Sequence, residues 1–214
     1  MARISVVGGT GYAGGAVVRE AARRGHRVTS VSRREPSERL AGVDYLIGSA
    51  LDPEVLASAV DGHDVVIEAV SPRGDMAGKE EALVDRLIEL TAGTGTRLGV
   101  IGGASSLLVA EGGPRLFDVS EPPAETLPEI KTGLALLETL QATPAEVDWF
   151  YVSPPASFGA WAPAPDTGSY RLSDDILLTD EAGGSTISAA DLARAILDEV
   201  EEPQHRRRRF HAAH

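Results

Sequence analysis

Two hydrophobic rhythms alternate along the chain from its third residue. Short β-branched runs, RISVV over Arg3–Val7 and HRVTSVS over His26–Ser32, predict strands. Between them Val17, Val18, Ala21 and Ala22 recur at helical spacing. The glycine-rich segment GGTGYAGG joins the first strand to that helix. Further on, Val43–Ile47 predicts a short strand, Pro53–Val60 a helix that starts after Asp52 as its N-cap, and Asp64–Val70 (DVVIEAV) another strand. The spacing over Ala77–Gly93 predicts a helix that buries Leu83, Val84, Leu87, Ile88 and Leu90, and Arg97–Ile101 predicts the next strand. A loop rich in Gly, Ser and Pro leads to a helix over Pro128–Ala142 and an apolar strand over Val147–Val152. Strands that are apolar on both faces and alternate with helices predict an α/β fold, a doubly wound parallel sheet covered on both sides.

The texture changes after Pro154 and Pro155. Ser157–Ser169 carries Pro, Gly and two aromatics and predicts loop, SYRLSDDILL (169–178) predicts a hairpin-like piece, and EAGG (181–184) a turn. A helix over Ala189–Val200 with Ser188 as N-cap and a last strand over Arg206–Phe210 complete the chain. Residues 155–190 thus predict a small irregular cap over the carboxyl ends of the strands, where open α/β sheets bind ligands.

Composition narrows the chemistry. With 43% apolar and 24% charged residues the chain is an ordinary globular sequence. It contains no cysteine, which excludes thiol catalysis, Cys-ligated zinc and iron–sulfur clusters. Acidic residues outnumber basic ones by 32 to 20, which argues against a general nucleic-acid or anionic-membrane partner. No long apolar run or signal-type segment is present, so a cytoplasmic protein is expected. No His, Asp or Glu set has metal-ligand spacing, and no metal is expected.

The most informative segment is Gly8-Gly9-Thr10-Gly11-Tyr12-Ala13-Gly14, a GxxGxxG pattern lying directly between a strand and a helix. There Gly8 permits a tight turn, Gly11 lets backbone approach a pyrophosphate, and Gly14 permits close helix–strand packing. An anion would rest on the free N–H groups and positive dipole end of the first helix. The pattern predicts that 1–214 form one NAD(P)-binding Rossmann domain. The second strand ends at Ser32-Arg33-Arg34, where an acidic residue would select a free ribose 2′-hydroxyl. A guanidinium there can instead bind a 2′-phosphate bidentately, so Arg33 and Arg34 favour NADP(H) as cofactor. The alternative is a solvated pair of arginines beside Glu35 and Glu38.

These motifs, together with GSALDPEVLASAVDGHDVVIEAVSP, VIGGASSLLVAEGG and VDWFYVSPPA in that order, resemble the atypical short-chain dehydrogenase/reductases, in the branch of NADH-flavin reductases, biliverdin reductase B and NmrA-like proteins. The resemblance implies that Thr10, Gly11, Tyr12 and Ala13 touch the pyrophosphate and Arg33 the 2′-phosphate. It also puts Ala69, Val70 and Ser71 at the nicotinamide-side ribose, and Ser153 and Pro154 at the nicotinamide. Where relatives often carry Gly-Asp this chain has Gly48-Ser49.

Most short-chain dehydrogenases use Tyr-x-x-x-Lys, in which the lysine one helical turn on lowers the tyrosine pKa. None of Tyr12, Tyr45, Tyr151 or Tyr170 has that partner, and Lys79 and Lys131 are the only lysines. Ser105, in Gly102-Gly103-Ala104-Ser105-Ser106, matches by resemblance the serine that biliverdin reductase B-like proteins place beside the nicotinamide. Its alternative role is as part of a turn capping the next segment. Lys131 falls on the following helix, roughly where the superfamily lysine binds ribose. Trp149, Phe150 and Tyr151 predict strand core, whereas Phe158, Trp161 and Tyr170 could line a pocket for a planar substrate. The Arg206–Arg209 run predicts a solvated basic strand edge. The expected function is an NADP(H)-dependent oxidoreductase that passes hydride to a flavin, quinone or conjugated carbonyl. The alternatives are an NmrA-like sensor without turnover, or an isomerase, epimerase or dehydratase that retains NADP(H).

Overall fold

Residues 1–214 are described by a computed structural model. Its centre is one eight-stranded sheet in the order β3-β2-β1-β4-β5-β6-β8-β7. The strands are β1 (Arg3–Val7), β2 (Arg27–Ser32), β3 (Val43–Ile47), β4 (Val65–Glu68), β5 (Arg97–Ile101), β6 (Trp149–Ser153), β7 (Arg171–Ser173) and β8 (Arg208–Ala213). All pair in parallel except β7, which runs antiparallel to β8. This is the expected doubly wound parallel sheet, with its order reversing at β1.

Six helices connect the strands: α1 (Tyr12–Arg23), α2 (Pro53–Val60), α3 (Glu80–Thr91), the short α4 (Leu116–Val119), α5 (Leu127–Gln141) and α6 (Ala189–Glu201). The two-residue alternation of the strands divides the core. Ile4, Val6, Val28, Val65, Ile67, Phe150 and Val152 pack against α1 and α6. Val7, Val31, Val66, Leu98, Val100, Trp149 and Tyr151 pack against α2, α3 and α5. Asp52 caps α2 by accepting from Glu54 N, and Ser188 caps α6 by accepting from Asp191 N, as their positions predict.

Three expectations need correction. The helix expected over 77–93 starts only at Glu80, because Gly78 sits at φ +70 and breaks the helical path. SYRLSDDILL is not a hairpin: Arg171–Ser173 pairs with β8, while Ile176 bridges Leu108. The last strand runs over Arg208–Ala213, and it is not an edge, since it lies between β6 and β7. The basic run is correspondingly engaged with protein groups. Arg206 pairs with Asp148, Arg207 donates to the carbonyls of Thr143, Pro144 and Val147, Arg208 pairs with Asp174, and Arg209 pairs with Asp175. No helix is long and apolar enough to cross a membrane.

Candidate active site

The carboxyl ends of β1, β2, β4, β5 and β6 bring most of the expected residues to one edge of the sheet. The glycine turn leaves β1 through Gly8, whose φ is +88 and whose N–H, like that of Gly9, donates to Val31 O of β2. Side chains are excluded from this turn by its neighbours. An added Cβ would lie 2.7 Å from Ala69 O at Gly8, 2.4 Å from Ser30 Oγ at Gly9 and 2.4 Å from Gly8 O at Gly14. Gly11 differs, being the N-cap of α1 at φ −74 with Gly8 O, 3.2 Å from the built Cβ, as its nearest neighbour. No side chain caps α1, and the N–H groups of Thr10, Tyr12, Ala13 and Gly14 have no acceptor in the chain. The result is a bare cradle of donors at a helix N-terminus, with no Cβ at its N-cap Gly11; these residues fit a dinucleotide.

Along the same edge of the sheet stand the other expected contacts. Ala69 N donates to Val7 O, and Val70 N donates to Glu68 Oε1 at 2.7 Å, so the turn after β4 is held against β1. Ser71 lies exposed just beyond it. Arg33 and Arg34 are exposed at the end of β2. Glu35 pairs with Arg39 and not with them, while Arg33 Nη1 pairs at 2.6 Å with Asp75 from the loop after β4. Ser153 and Pro154 are buried at the end of β6, and Ser153 Oγ has no partner in the chain. The Phe158 ring rests on the Tyr12 ring, centroids 5.3 Å apart, beside the glycine turn.

Ser105 lies on the turn that follows β5, partly exposed, with its carbonyl accepting from Phe117 N and its hydroxyl free of protein partners. Three other expected residues are not brought to it. Lys131 is exposed on the outer face of α5, because Thr132, Leu136 and Leu140 turn that helix's other face to the core. Tyr170 is tied through its hydroxyl to Asp198, in the second half of α6, toward the amino ends of the parallel strands. Trp161 is 63% exposed and folds over Gly159, so it encloses nothing.

Two buried acids were not anticipated. Glu68 ends β4 fully buried, and Glu80 opens α3 with 3% exposure; each has one carboxylate oxygen without a partner. Burial, then the neighbouring Glu80, pushes Glu68 well above the usual carboxylate range. Burial, then the charges of Glu129 and Glu81, raises Glu80 to about 8. Glu68 Oε1 accepts from the Val70 amide, and burial favours the uncharged form of this carboxyl. An acid inside the apolar run DVVIEAV was the available sequence signal.

The chain belongs to the NAD(P)H-binding family, whose model matches residues 8–203. It is 36% identical over 214 residues to the uncharacterized protein YwnB of Bacillus subtilis, covering 97% of this chain and 96% of that protein. A structure described as a putative NADH-flavin reductase from Streptococcus pneumoniae superposes with a TM-score of 0.89 at 32% identity, over 100% of this chain and 99% of the other. A structure described as a putative epimerase from Bacteroides thetaiotaomicron gives 0.87 at 31% identity, over 100% and 97%. The match and these neighbours agree with the atypical short-chain dehydrogenase/reductase branch that the motifs resemble.

Proposed function

We propose that the protein is an NADP(H)-dependent oxidoreductase acting on a planar acceptor, a flavin, quinone or conjugated carbonyl. The observation that carries this is the juxtaposition of the bare donor cradle at α1 with a free serine hydroxyl at the end of β5, on the same edge of one sheet. The similar protein described as an NADH-flavin reductase supports a reductase over other uses of the cradle. In this reading 1–214 act as one nucleotide-binding domain and 155–190 form its substrate side.

When bound, the cofactor supplies the hydride, from nicotinamide C4. The chain supplies position. Thr10, Gly11, Tyr12 and Ala13 receive the pyrophosphate, Arg33 with Arg34 the 2′-phosphate, Ala69, Val70 and Ser71 the second ribose, and Ser153 with Pro154 the nicotinamide. Phe158, backed by Tyr12, forms a wall against a flat ring system. Ser105 donates its hydroxyl proton in a hydrogen bond to the acceptor's oxygen or nitrogen as negative charge develops there. It has neither a lysine nor a tyrosine partner, so it polarises and does not surrender the proton. An acceptor that spreads charge over a conjugated system suits such a site, because full protonation can then follow from water.

A screen of NADPH oxidation over flavins, quinones and conjugated ketones tests the proposal, with Ser105→Ala measured on the best acceptor. A neutral donor beside a delocalised acceptor should be worth about 10–100-fold in kcat, with NADPH affinity unchanged. Unchanged kcat would remove Ser105 from the site. The structural likeness to the protein described as an epimerase favours one second reading, an isomerase that keeps and recycles its nucleotide. Nucleotide that co-purifies and resists exchange, with no net oxidation on any acceptor, would select that reading. Exchangeable nucleotide without turnover would select a sensor.

A further inference from the structure

We infer that Tyr151 and Arg209, neighbours in register on β6 and β8, form a two-point brace that sets where the Ser105 hydroxyl stands. The inference rests on the role proposed for Ser105.

The two residues share one face of the sheet, since Val100, Tyr151 and Arg209 are consecutive Cα partners across β5, β6 and β8. Each reaches up to the turn that carries Ser105, on opposite sides of it. Tyr151 is fully buried, and its hydroxyl accepts from Gly103 N at 3.1 Å while donating to Gly133 O of α5 at 3.0 Å. Arg209, its side chain 9% exposed, donates from Nη1 to Ser106 Oγ at 2.7 Å while its Nε binds Asp175 at 3.0 Å. The turn between these anchors is closed by Leu107 N donating to Ala104 O. Residues 103 and 106 are thus tied to the sheet, and Ser105 stands between the ties with its own hydroxyl uncommitted.

The sequence of the turn is adapted to the tyrosine. A Cβ at Gly102 would lie 1.7 Å from the Tyr151 hydroxyl oxygen, so only glycine lets the strand end pass over it. An apolar residue at 151 would fill the core equally well. The hydroxyl costs the protein a buried polar group, and it meets that cost by joining α5 to the turn. Its proton is committed to Gly133 O, and burial pushes its pKa up to about 12, so Tyr151 holds the turn and does not act as the acid. Arg209 explains one member of the basic run as an inward anchor.

The experiment uses the full chain with Tyr151→Phe, Arg209→Met and Ser105→Ala singly and Tyr151→Phe/Ser105→Ala together. Kinetics on the best acceptor are read with NADPH affinity, melting temperature and amide exchange over 102–108. If the brace positions Ser105, Tyr151→Phe lowers kcat about fivefold and Arg209→Met about threefold with NADPH affinity within about twofold, and in the Ser105→Ala background Tyr151→Phe costs less than about twofold more. Amide exchange over 102–108 rises about tenfold in Tyr151→Phe, a readout independent of turnover. An additive loss in the double variant, or unchanged exchange, overturns the brace even where Ser105→Ala lowers kcat. If Ser105→Ala leaves kcat unchanged, the role of Ser105 fails first and the brace falls with it.

Discussion

At the scale of single residues, the motif glycines Gly14 and Gly11 answer to different neighbours and should fail differently. Gly14 is crowded by the protein itself, because a methyl there meets the Gly8 carbonyl at 2.4 Å, backbone that cannot rotate away. Gly14→Ala should cost about 1–3 kcal/mol of stability by overpacking, read as a lower denaturation midpoint. Gly11 has ordinary φ, and its built Cβ meets only Gly8 O, at 3.2 Å, so a side chain there asks the fold for a shift of a few tenths of an ångström, far less than at Gly14. The pyrophosphate would not accommodate one. Gly11→Val should therefore melt within a few degrees of the parent yet lose NADPH binding in calorimetry. If it binds within about twofold of the parent, the cradle does not hold the diphosphate.

At the scale of elements, the segment joining β4 to α3 spans the proposed nucleotide groove and is pinned at two points. Arg73 forms a bidentate pair with Glu129 of α5, at 2.6 and 3.0 Å, and Asp75 pairs with Arg33 beyond β2. Because β1 lies between β2 and β4, the Arg33–Asp75 pair reaches across the end of β1 and its glycine turn. Both partners are exposed, 56% and 83%, so the pair itself contributes little to stability. Its effect falls on selectivity. A 2′-phosphate arriving at Arg33 must displace a carboxylate, whereas NADH meets no such competition. Asp75→Asn should raise NADPH affinity about threefold, leave NADH affinity within about twofold, and lose this advantage at high salt. Arg33→Ala should act in the opposite direction, weakening NADPH by about one to two decades, the worth of a charge-assisted phosphate contact of ~1.5–3 kcal/mol. Titration calorimetry of both nucleotides checks the pair of predictions, and tighter NADH than NADPH binding by the parent would refute the assignment of Arg33.

For the molecule as a whole, the buried acids tie stability to pH. Glu80 has a folded pKa of about 8 against an ordinary 4.5, and Glu68 is shifted in the same direction. The folded state thus binds more protons than the unfolded state between these values, so stability falls with rising pH there. The contribution is full below about 4.5, declines above it and is lost once pH passes about 8. Glu80→Gln, which keeps the shape without the ionisation, should flatten the melting temperature over that window and raise it at pH 8 relative to the parent. An unchanged slope would mean that Glu80 is ionised when folded.

What could be read along the chain is what depends on near neighbours. The strands, α2 and α6 with their Asp52 and Ser188 caps, and the glycine turn all obey forces acting within a few residues, namely side-chain alternation, capping and backbone freedom. The parallel order followed as well, since helical crossovers permit little else. Pairing between distant segments was beyond local pattern. SYRLSDDILL has the apolar spacing of a hairpin, yet its two halves take partners in β8 and at Leu108. The arginine run looks solvated by composition, but Arg209 shares a sheet face with Val100 and Tyr151, and its guanidinium is taken up by Ser106 and Asp175. Tyr170 and Trp161 are aromatic enough to line a pocket, and only the course of the loop decides that one binds α6 and the other faces solvent. Periodicity tells which side of an element is apolar. It carries no information about which element will cover that side, and that choice placed Tyr151 under Gly103.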